Sequence, residues 1–142
     1  MTTSISITEV DGGAQRDILL AMEEELLPGC EPINPAVGHW WLAKDQHGVH
    51  AAYAALRLVA SEPGVGFLFR CGVVKDFRGH GLQQRLIRVR LAKAKRLGLT
   101  RVITYTIDNP PSANSLIACG FRMYTPANRW GGAEAQYWYR KL

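Results

Sequence analysis

Residues 71–84 read CGVVKDFRGHGLQQ and join two segments of opposite character. Before them, residues 65–74 form an apolar run rich in valine and phenylalanine, which is typical of a buried strand. After them, residues 81–98 alternate apolar and basic side chains in a pattern typical of an amphipathic helix. Glycines in the junction permit backbone turns that other residues resist, and they let the backbone approach a ligand closely. The stretch therefore predicts a strand, a glycine loop and a helix in succession.

The junction also predicts an anion site. The first turn of a helix has N–H groups without intrahelical partners, and the helix dipole adds partial positive charge there. A phosphate or pyrophosphate suits such a place. A P-loop is excluded because no Gly-Lys-Ser/Thr ending occurs, and a dinucleotide fingerprint is excluded because Gln84 stands where its third glycine belongs. A plain strand-to-helix turn at Gly79 and Gly81 remains the alternative.

Two segments of the chain resemble one known family. The pattern Arg78-x-x-Gly81-x-Gln83 resembles motif A of the GNAT superfamily of N-acetyltransferases, which reads Gln/Arg-x-x-Gly-x-Gly/Ala. Gln83 departs from that motif at the last position. Residues 109–121 read NPPSANSLIACGF and resemble the second cofactor segment of the superfamily. The resemblance covers residues 65–125 well and the remainder only by pattern.

The resemblance implies an N-acetyltransferase that moves an acetyl group from acetyl-coenzyme A to a primary amine of a small molecule or peptide. Direct attack in a ternary complex is the implied scheme, with acetyl-coenzyme A as co-substrate and no metal. Loop amides would hold the pyrophosphate, the strand edge would pair with pantetheine, and the Val73 N–H would polarise the thioester carbonyl. The implied cofactor residues are Cys71, Gly72, Val73, Arg78, Gly79, His80, Gly81, Leu82, Gln83, Gln84 and Asn109.

The acid and base of the reaction are not evident from the sequence. Many family members have a general-acid tyrosine seven residues after the asparagine, where this chain has Leu116. Tyr124 and Ser115 are the candidate catalytic residues, and Cys119 is a third alternative. No acidic residue stands where the family places its base. The remaining candidates for a base are His39, His50 and Tyr105.

The predicted fold class is α/β. A chain of 142 residues predicts one domain, residues 1–142. The predicted order is β-α-loop-β-β-β-α-β-α-β-β, and the resemblance implies a mixed, twisted sheet of about 6–7 strands with helices on both faces. It also implies a V-shaped splay between the central strands, which end at Val74 and Ile107.

Several local predictions concern single elements. Residues 14–27 predict a first helix, with a solvated acidic face at Glu23–Glu25 or a lure for a cationic amine. One of the adjacent Trp40 and Trp41 is predicted to be core, and the other could line a substrate cleft. The helix after the glycine loop predicts a core stripe, and Pro110 and Pro111 predict that the next helix begins only at Ser112. The residues of the predicted stripe are Leu82, Leu86, Val89 and Leu97.

Composition and charge limit the possible classes. The net charge is +5, but residues 70–101 hold ten Lys or Arg against one acid, whereas residues 1–40 hold seven acids against one Arg. Nucleic acid is therefore an unlikely partner, although a non-catalytic coenzyme A sensor or nucleic-acid-binding module is the alternative function. Residues 1–10 predict no secretory signal, and no apolar run predicts a membrane span. Three scattered cysteines fit a cytoplasmic protein without a metal site. An exposed edge strand could pair two copies, so a homodimer stays open.

Overall fold

The computed structural model describes residues 4–142. Residues 1–3, which belong to the segment where no secretory signal is predicted, lie outside the described residues. The strands are β1 (Ile5–Val10), β2 (His39–Asp45), β3 (His50–Leu58), β4 (Val65–Val73), β5 (Arg101–Thr106), β6 (Arg122–Tyr124) and β7 (Gln136–Lys141). The helices are α1 (Arg16–Leu26), α2 (Leu82–Arg96) and α3 (Pro110–Ala118). The predicted order of elements is confirmed.

The strands form one seven-stranded sheet in the order β1-β2-β3-β4-β5-β7-β6. The neighbours β1 and β2, β2 and β3, β5 and β7, and β6 and β7 pair in antiparallel fashion. Strands β4 and β5 are parallel, and their register joins residues 65–67 to residues 101–103. Just beyond that register, the hydroxyl of Thr104 donates to the carbonyl of Leu68 at 3.0 Å. At this position a side chain therefore donates the hydrogen bond that a backbone N–H group would donate in a regular parallel pair of strands. The predicted mixed α/β fold is confirmed.

The chain divides into two compact units, and the first comprises the residues up to Arg57 together with Phe69–Leu82. Its core joins the inner side of α1 to alternate residues of β2 and β3: Leu19, Met22, Ile33, Trp40, Leu42, Tyr53 and Ala55. The residues between them on the same strands, such as Trp41 and Ala54, are also buried. Both faces of these strands are therefore covered. The cleft position proposed for the second tryptophan is wrong, because neither Trp40 nor Trp41 is more than 3% exposed.

The second unit comprises Leu58–Leu68 and Gln83–Leu142. Strand β5 is buried on both faces at Val102, Ile103 and Thr104, as its central position requires. The last strand contributes Trp138, whose indole N–H donates to the Thr106 hydroxyl at 2.9 Å. This bond satisfies a polar group that would otherwise be costly to bury.

Helix α2 buries a different stripe from the predicted one. Leu82 and Leu86 are buried as predicted, but Leu97 is 41% exposed because the helix ends at Arg96. The buried positions continue instead through Ile87, Leu91 and Ala94. The steps of three or four residues through Ile87, Leu91 and Ala94 follow the helical period more closely than the predicted step of eight residues from Val89 to Leu97 does.

Helix α3 begins earlier than predicted. It starts at Pro110, with prolines at the first two helical positions. The first turn of a helix needs no backbone donor, and the fixed φ of proline suits it. The prediction that these prolines delay the helix to Ser112 is therefore wrong. The side chain of Asn109 caps the helix by accepting the backbone N–H of Ser112 at 3.2 Å.

Candidate active site

The glycine loop lies directly before α2. After β4, a single 3-10 turn spans Lys75–Phe77, and Gly79 and Gly81 then adopt φ angles of +81° and +74°. Both glycines are exposed, and a Cβ atom at either position would meet nothing within 4 Å. The open space means that packing does not require glycine here. The left-handed backbone does, because it disfavours residues with a side chain.

The backbone of this loop has unused donors. Over residues 4–142, no hydrogen bond is donated by the backbone N–H groups of Gly79, His80 or Gly81. The fifteen-residue helix that follows contains no acidic residue in its first turn, so no carboxylate there competes for the positive end of the dipole. Three free N–H groups at this end form a place that favours an anion.

Arg78 stabilises the path of the loop. Its Nε donates to the carbonyl of Val73 at 2.9 Å, and its backbone N–H donates to the carbonyl of Lys75 at 3.2 Å. The side chain is exposed, so the rest of its guanidinium stays in solvent. Arg78 thus connects the end of β4 to the loop and keeps a positive charge beside the free N–H groups.

Gln83, which departs from the family motif, has a structural partner in α3. Its amide nitrogen donates to the hydroxyl of Ser112 at 2.9 Å, and its amide oxygen accepts from the hydroxyl of Ser115 at 3.4 Å. A glycine or alanine at this position could make neither bond. The departure therefore links the first turn of α2 to α3, and it engages the hydroxyl of Ser115, one of the two candidate catalytic residues.

Asn109 forms the N-terminal cap of α3. Its carboxamide oxygen is occupied by the cap of α3, and the residue is exposed. The preceding residue, Asp108, has a φ of +44°, an unusual conformation for a residue with a side chain. The end of β5 thus turns sharply into the helix, and the nitrogen of the Asn109 amide remains the group that could serve a ligand.

Tyr124, the other candidate catalytic residue, belongs to a cluster of aromatic rings in the second unit. Its ring centroid lies 5.6 Å from that of Tyr139 and 6.3 Å from that of Tyr137, both with edge contacts. Burial raises the pKa of Tyr124 above its ordinary value of 10.0, despite the opposing effect of the Trp130 side chain. The hydroxyl therefore keeps its proton at neutral pH, as a proton donor must.

Cys119 is placed as a structural residue. Its side chain is buried, and its sulfur lies 3.8 Å from the carbonyl oxygen of Gln84. Burial raises the pKa of this thiol, although Arg88 and Arg140 act in the opposite direction. Leu116, at the position of the family tyrosine, is buried and cannot donate a proton.

The candidate bases lie in different settings. His39 Nδ1 lies 3.7 Å from a carboxylate oxygen of Glu9, and both side chains are partly exposed. His50 begins β3, and its Nε2 is buried without a hydrogen-bond partner among residues 4–142. Burial, and then the charge of Lys44, lower the pKa of His50. Tyr105 packs against the rings of Phe67 and Trp130, which also contact each other.

A buried charged cluster that the sequence did not predict lies in the first unit. Arg70 Nε lies 2.8 Å from Oε1 of Glu23, and the Tyr53 hydroxyl donates a short hydrogen bond to Oε2 of the same carboxylate. A second guanidinium nitrogen of Arg70 donates to the carbonyl of Glu31 at 2.7 Å. Burial, and then the bond to Glu23, raise the pKa of Tyr53, so that its hydroxyl acts as donor. The solvated acidic face is therefore wrong for Glu23, although Glu24 and Glu25 are exposed.

Arg70 interrupts the regular backbone of β4 with a φ of +48°. A left-handed conformation costs a residue with a side chain about 1–2 kcal/mol. The ion pair and the bond to the Glu31 carbonyl offset that cost. A tight contact follows along the same strand, where a Cβ at Gly72 would lie 2.7 Å from Cε1 of Tyr53.

The comparison with protein families identifies the chain. The family model described as Acetyltransferase (GNAT) family matches residues 16–121, which is most of the chain. The chain belongs to the GNAT acetyltransferase family. It is thus an acetyltransferase domain of the GNAT type, and the resemblance drawn from Arg78, Gly81 and the segment after Asn109 is confirmed.

Solved GNAT structures share its fold. An IAA acetyltransferase from Bacillus cereus is 19% identical with a TM-score of 0.75, and the match covers 98% of this chain and 100% of that one. A phosphinothricin acetyltransferase from Sinorhizobium meliloti, solved with acetyl-coenzyme A, is 18% identical with a TM-score of 0.74, covering 100% and 89%. A chain of the NatC complex, solved with Gag peptide and coenzyme A, is 17% identical with a TM-score of 0.77, covering 98% and 99%. No curated protein sequence matches significantly.

Among residues 4–142, the structure shows neither a metal site nor a membrane-spanning helix. Within the part of the chain that the structure describes, no three His, Cys, Asp or Glu side chains form a group that could hold a metal ion. None of the helices between residues 4 and 142 is long and apolar enough to cross a membrane.

Proposed function

We propose that this GNAT domain transfers an acetyl group from acetyl-coenzyme A to a primary amine of a small molecule or peptide. The observation that carries the proposal is the set of unused N–H groups at Gly79, His80 and Gly81, directly before a long helix. Pyrophosphate oxygens would accept from these donors, and Arg78 would add a positive charge. Two structural relatives were solved with acetyl-coenzyme A or coenzyme A, which supports the same co-substrate.

The remaining contacts to the co-substrate are assigned by position. The edge of β4 at Cys71, Gly72 and Val73 would hold the pantetheine amides, and the Val73 N–H would polarise the thioester carbonyl. Asn109 would use its amide nitrogen, since its oxygen caps α3. The backbone N–H groups in the first turn of α2 would add further donors to the phosphates: Leu82, Gln83 and Gln84. Holding the thioester beside a neutral amine supplies much of the rate through proximity.

Thermal unfolding with saturating ligands tests this function. A ligand at 100 times its dissociation constant stabilises the folded state by about 2.7 kcal/mol. For a domain of this size, the midpoint should rise by about 5–10 °C. We expect this shift with acetyl-coenzyme A and with free coenzyme A, and little shift with ATP. Unchanged midpoints with both forms of coenzyme A would mean that the loop is only a turn.

Tyr124 is the first candidate for the acid that protonates the leaving thiolate, and Ser115 is the second. Tyr124 keeps its proton at neutral pH, whereas the hydroxyl of Ser115 is already directed to Gln83. General acid catalysis contributes roughly 10²–10⁴-fold, and a thiolate needs less help than most leaving groups. We therefore expect Tyr124→Phe to lower kcat by about 10²-fold without changing acetyl-coenzyme A binding.

The neighbouring ring of Tyr139 provides the control for this variant. Tyr139→Phe removes a hydroxyl from the same cluster and should leave kcat within about 2-fold of the parent enzyme if only Tyr124 donates a proton. Equal rates for both variants would remove Tyr124 from the mechanism. A loss confined to Ser115→Ala would transfer the role to Ser115.

The proposed compartment is the cytoplasm. Within residues 4–142, no disulfide joins Cys30, Cys71 and Cys119, and Cys30 is exposed. An unpaired exposed thiol is compatible with a reducing compartment.

A further inference from the structure

A cavity in the first unit lies beside Phe69, away from the glycine loop. Its volume is about 340 Å³, within the range of small-molecule sites. Its lining residues are Pro32, Ile33, Asn34, Val37, Arg57 and Phe69. Four of these side chains are apolar, and two are polar. The loop between α1 and β2 contributes most of them.

Both polar side chains of this cavity present hydrogen-bond donors. The carboxamide oxygen of Asn34 accepts the backbone N–H of Ala36 at 3.1 Å, which leaves its NH₂ group for a ligand. Arg57 carries only donors. Within residues 4–142, Arg57 takes part in no ion pair and donates no hydrogen bond. A ligand that fits this cavity must therefore bring acceptors.

Arg57 is held in position although it is exposed. Its guanidinium carbon lies 4.7 Å from the ring centroid of Phe69. Its stem lies against Gly38, where a Cβ would come within 3.1 Å of Cγ of Arg57. A guanidinium over the face of a ring is attracted by its charge and uses no hydrogen bond in that contact, so its N–H groups stay free to form a bidentate pair. The geometry is thus prepared for a planar anion.

The charge of the cavity favours a ligand with one negative charge. Arg70 also lies over the Phe69 ring, at 4.8 Å, but its charge is compensated by Glu23. Of these two arginines, Arg57 is the one without a carboxylate partner among residues 4–142. A carboxylate matches one guanidinium in charge and in fork geometry, whereas a doubly charged phosphate would retain excess charge.

We propose that this cavity binds the carboxylate of the acceptor, so that the acceptor is a small amine that also carries a carboxylate. The proposal rests on the proposed acetyltransferase function. Phe69 stands four residues before Val73 on β4, a span of at most about 13 Å at the rise of a strand. Arg70 interrupts the regular backbone between them and shortens this span. An acceptor anchored on Arg57 needs several carbon atoms between its carboxylate and its amine, so that the amine extends along β4 toward the position assigned to the thioester. The apolar walls would contact these carbon atoms.

Matched pairs of amines test this proposal. Each pair is an ω-amino acid and the amine that lacks only its carboxylate, such as 6-aminohexanoate with pentylamine and 8-aminooctanoate with heptylamine. The amine of an α-amino acid is attached next to its carboxylate and could not extend along β4. An aminophosphonate of the same chain length forms a third member. Binding is measured by ligand-observed NMR, which needs no acetyl transfer, and acetylation is measured by release of the coenzyme A thiol. The carboxylate member should bind at least tenfold more tightly than the other two.

The variant Arg57→Gln, with Arg16→Gln as its control, locates the effect. Both replace an exposed arginine of the same unit with the same loss of charge, but Arg16 begins α1 and does not line the cavity. Arg57→Gln should weaken binding of the amino acid at least tenfold and leave that of the decarboxylated amine within twofold. Arg16→Gln should change neither.

The outcomes separate this proposal from the proposed function. Equal binding of both members of every pair, equal losses in Arg57→Gln, or no binding of any amino acid would overturn the carboxylate site, even where acetyl-coenzyme A still raises the midpoint of unfolding. Tighter binding of the phosphonate would replace the carboxylate by a doubly charged group. A missing acetyl-coenzyme A shift would instead refute the function, whatever the amines do.

Discussion

The variant Gly81→Glu is expected to bind acetyl-coenzyme A at least 100-fold more weakly than the parent protein, a loss of about 2.7 kcal/mol. Two effects contribute. A side chain at a φ of +74° strains the loop that presents the free N–H groups. The new carboxylate also stands beside the expected pyrophosphate, and like charges about 4 Å apart repel by about 4 kcal/mol at an effective dielectric constant of about 20. Titration calorimetry of the purified variant measures the affinity.

Gly98 provides a matched control for this variant. Its φ is +76°, and a Cβ there would also meet nothing within 4 Å. Gly98→Glu therefore introduces the same backbone strain and the same charge, but after the last turn of α2 rather than before its first. Its affinity for acetyl-coenzyme A should stay within about 2-fold of the parent value, since the phosphates would lie at the other end of the helix. Similar losses in the two variants would show that the loop has no special role.

Replacing Glu23 with alanine is expected to destabilise the protein by about 3–5 kcal/mol. The carboxylate is the partner of both Arg70 and the Tyr53 hydroxyl, and the side chains of Glu23 and Arg70 are only 10% and 16% exposed. Removing it leaves a largely buried guanidinium without its counter-ion and a buried hydroxyl without an acceptor. At a urea slope of about 2 kcal/mol per molar, the midpoint should fall by about 2 M.

The adjacent Glu24 separates this effect from a simple change in net charge. It is exposed on the same helix, so Glu24→Ala should change stability by no more than about 0.5 kcal/mol. Tyr53→Phe removes one bond to the carboxylate and should cost about 1.5–3 kcal/mol. Equal urea midpoints for Glu23→Ala and Glu24→Ala would show that the buried cluster contributes nothing to stability.

The two variants test different parts of the same unit. The glycine loop is proposed to bind acetyl-coenzyme A. Most of its residues are exposed, so variants in this loop should fold normally. The Glu23 cluster concerns stability and also sets the neighbourhood of Phe69, because Arg70 lies over that ring. A stable protein that has lost only acceptor binding would therefore point to Arg57 rather than to Glu23.

Much of the fold was evident from the sequence because it depends on local patterns. The strand of residues 65–74, the glycines at 79 and 81 and the basic helix after them are coded by neighbouring residues, and the structure has each within two residues of its predicted bounds. The order of the strands and helices between residues 4 and 142 likewise follows from local patterns. Family membership followed from two short segments whose spacing could be read directly.

Features that depend on contacts between residues far apart in the sequence could not be predicted from local patterns. Glu23 looked like one of three solvated glutamates, and only the fold brings it to Arg70 and to Tyr53, thirty residues away along the chain. Gln83 looked like a departure from a motif until the fold placed Ser112 and Ser115 beside it. Arg57 carried no signal at all, since nothing in its neighbours along the chain predicts the ring of Phe69. Local sequence patterns determine backbone conformation, whereas the energetic contribution of a charged side chain depends on which groups the folded chain places around it.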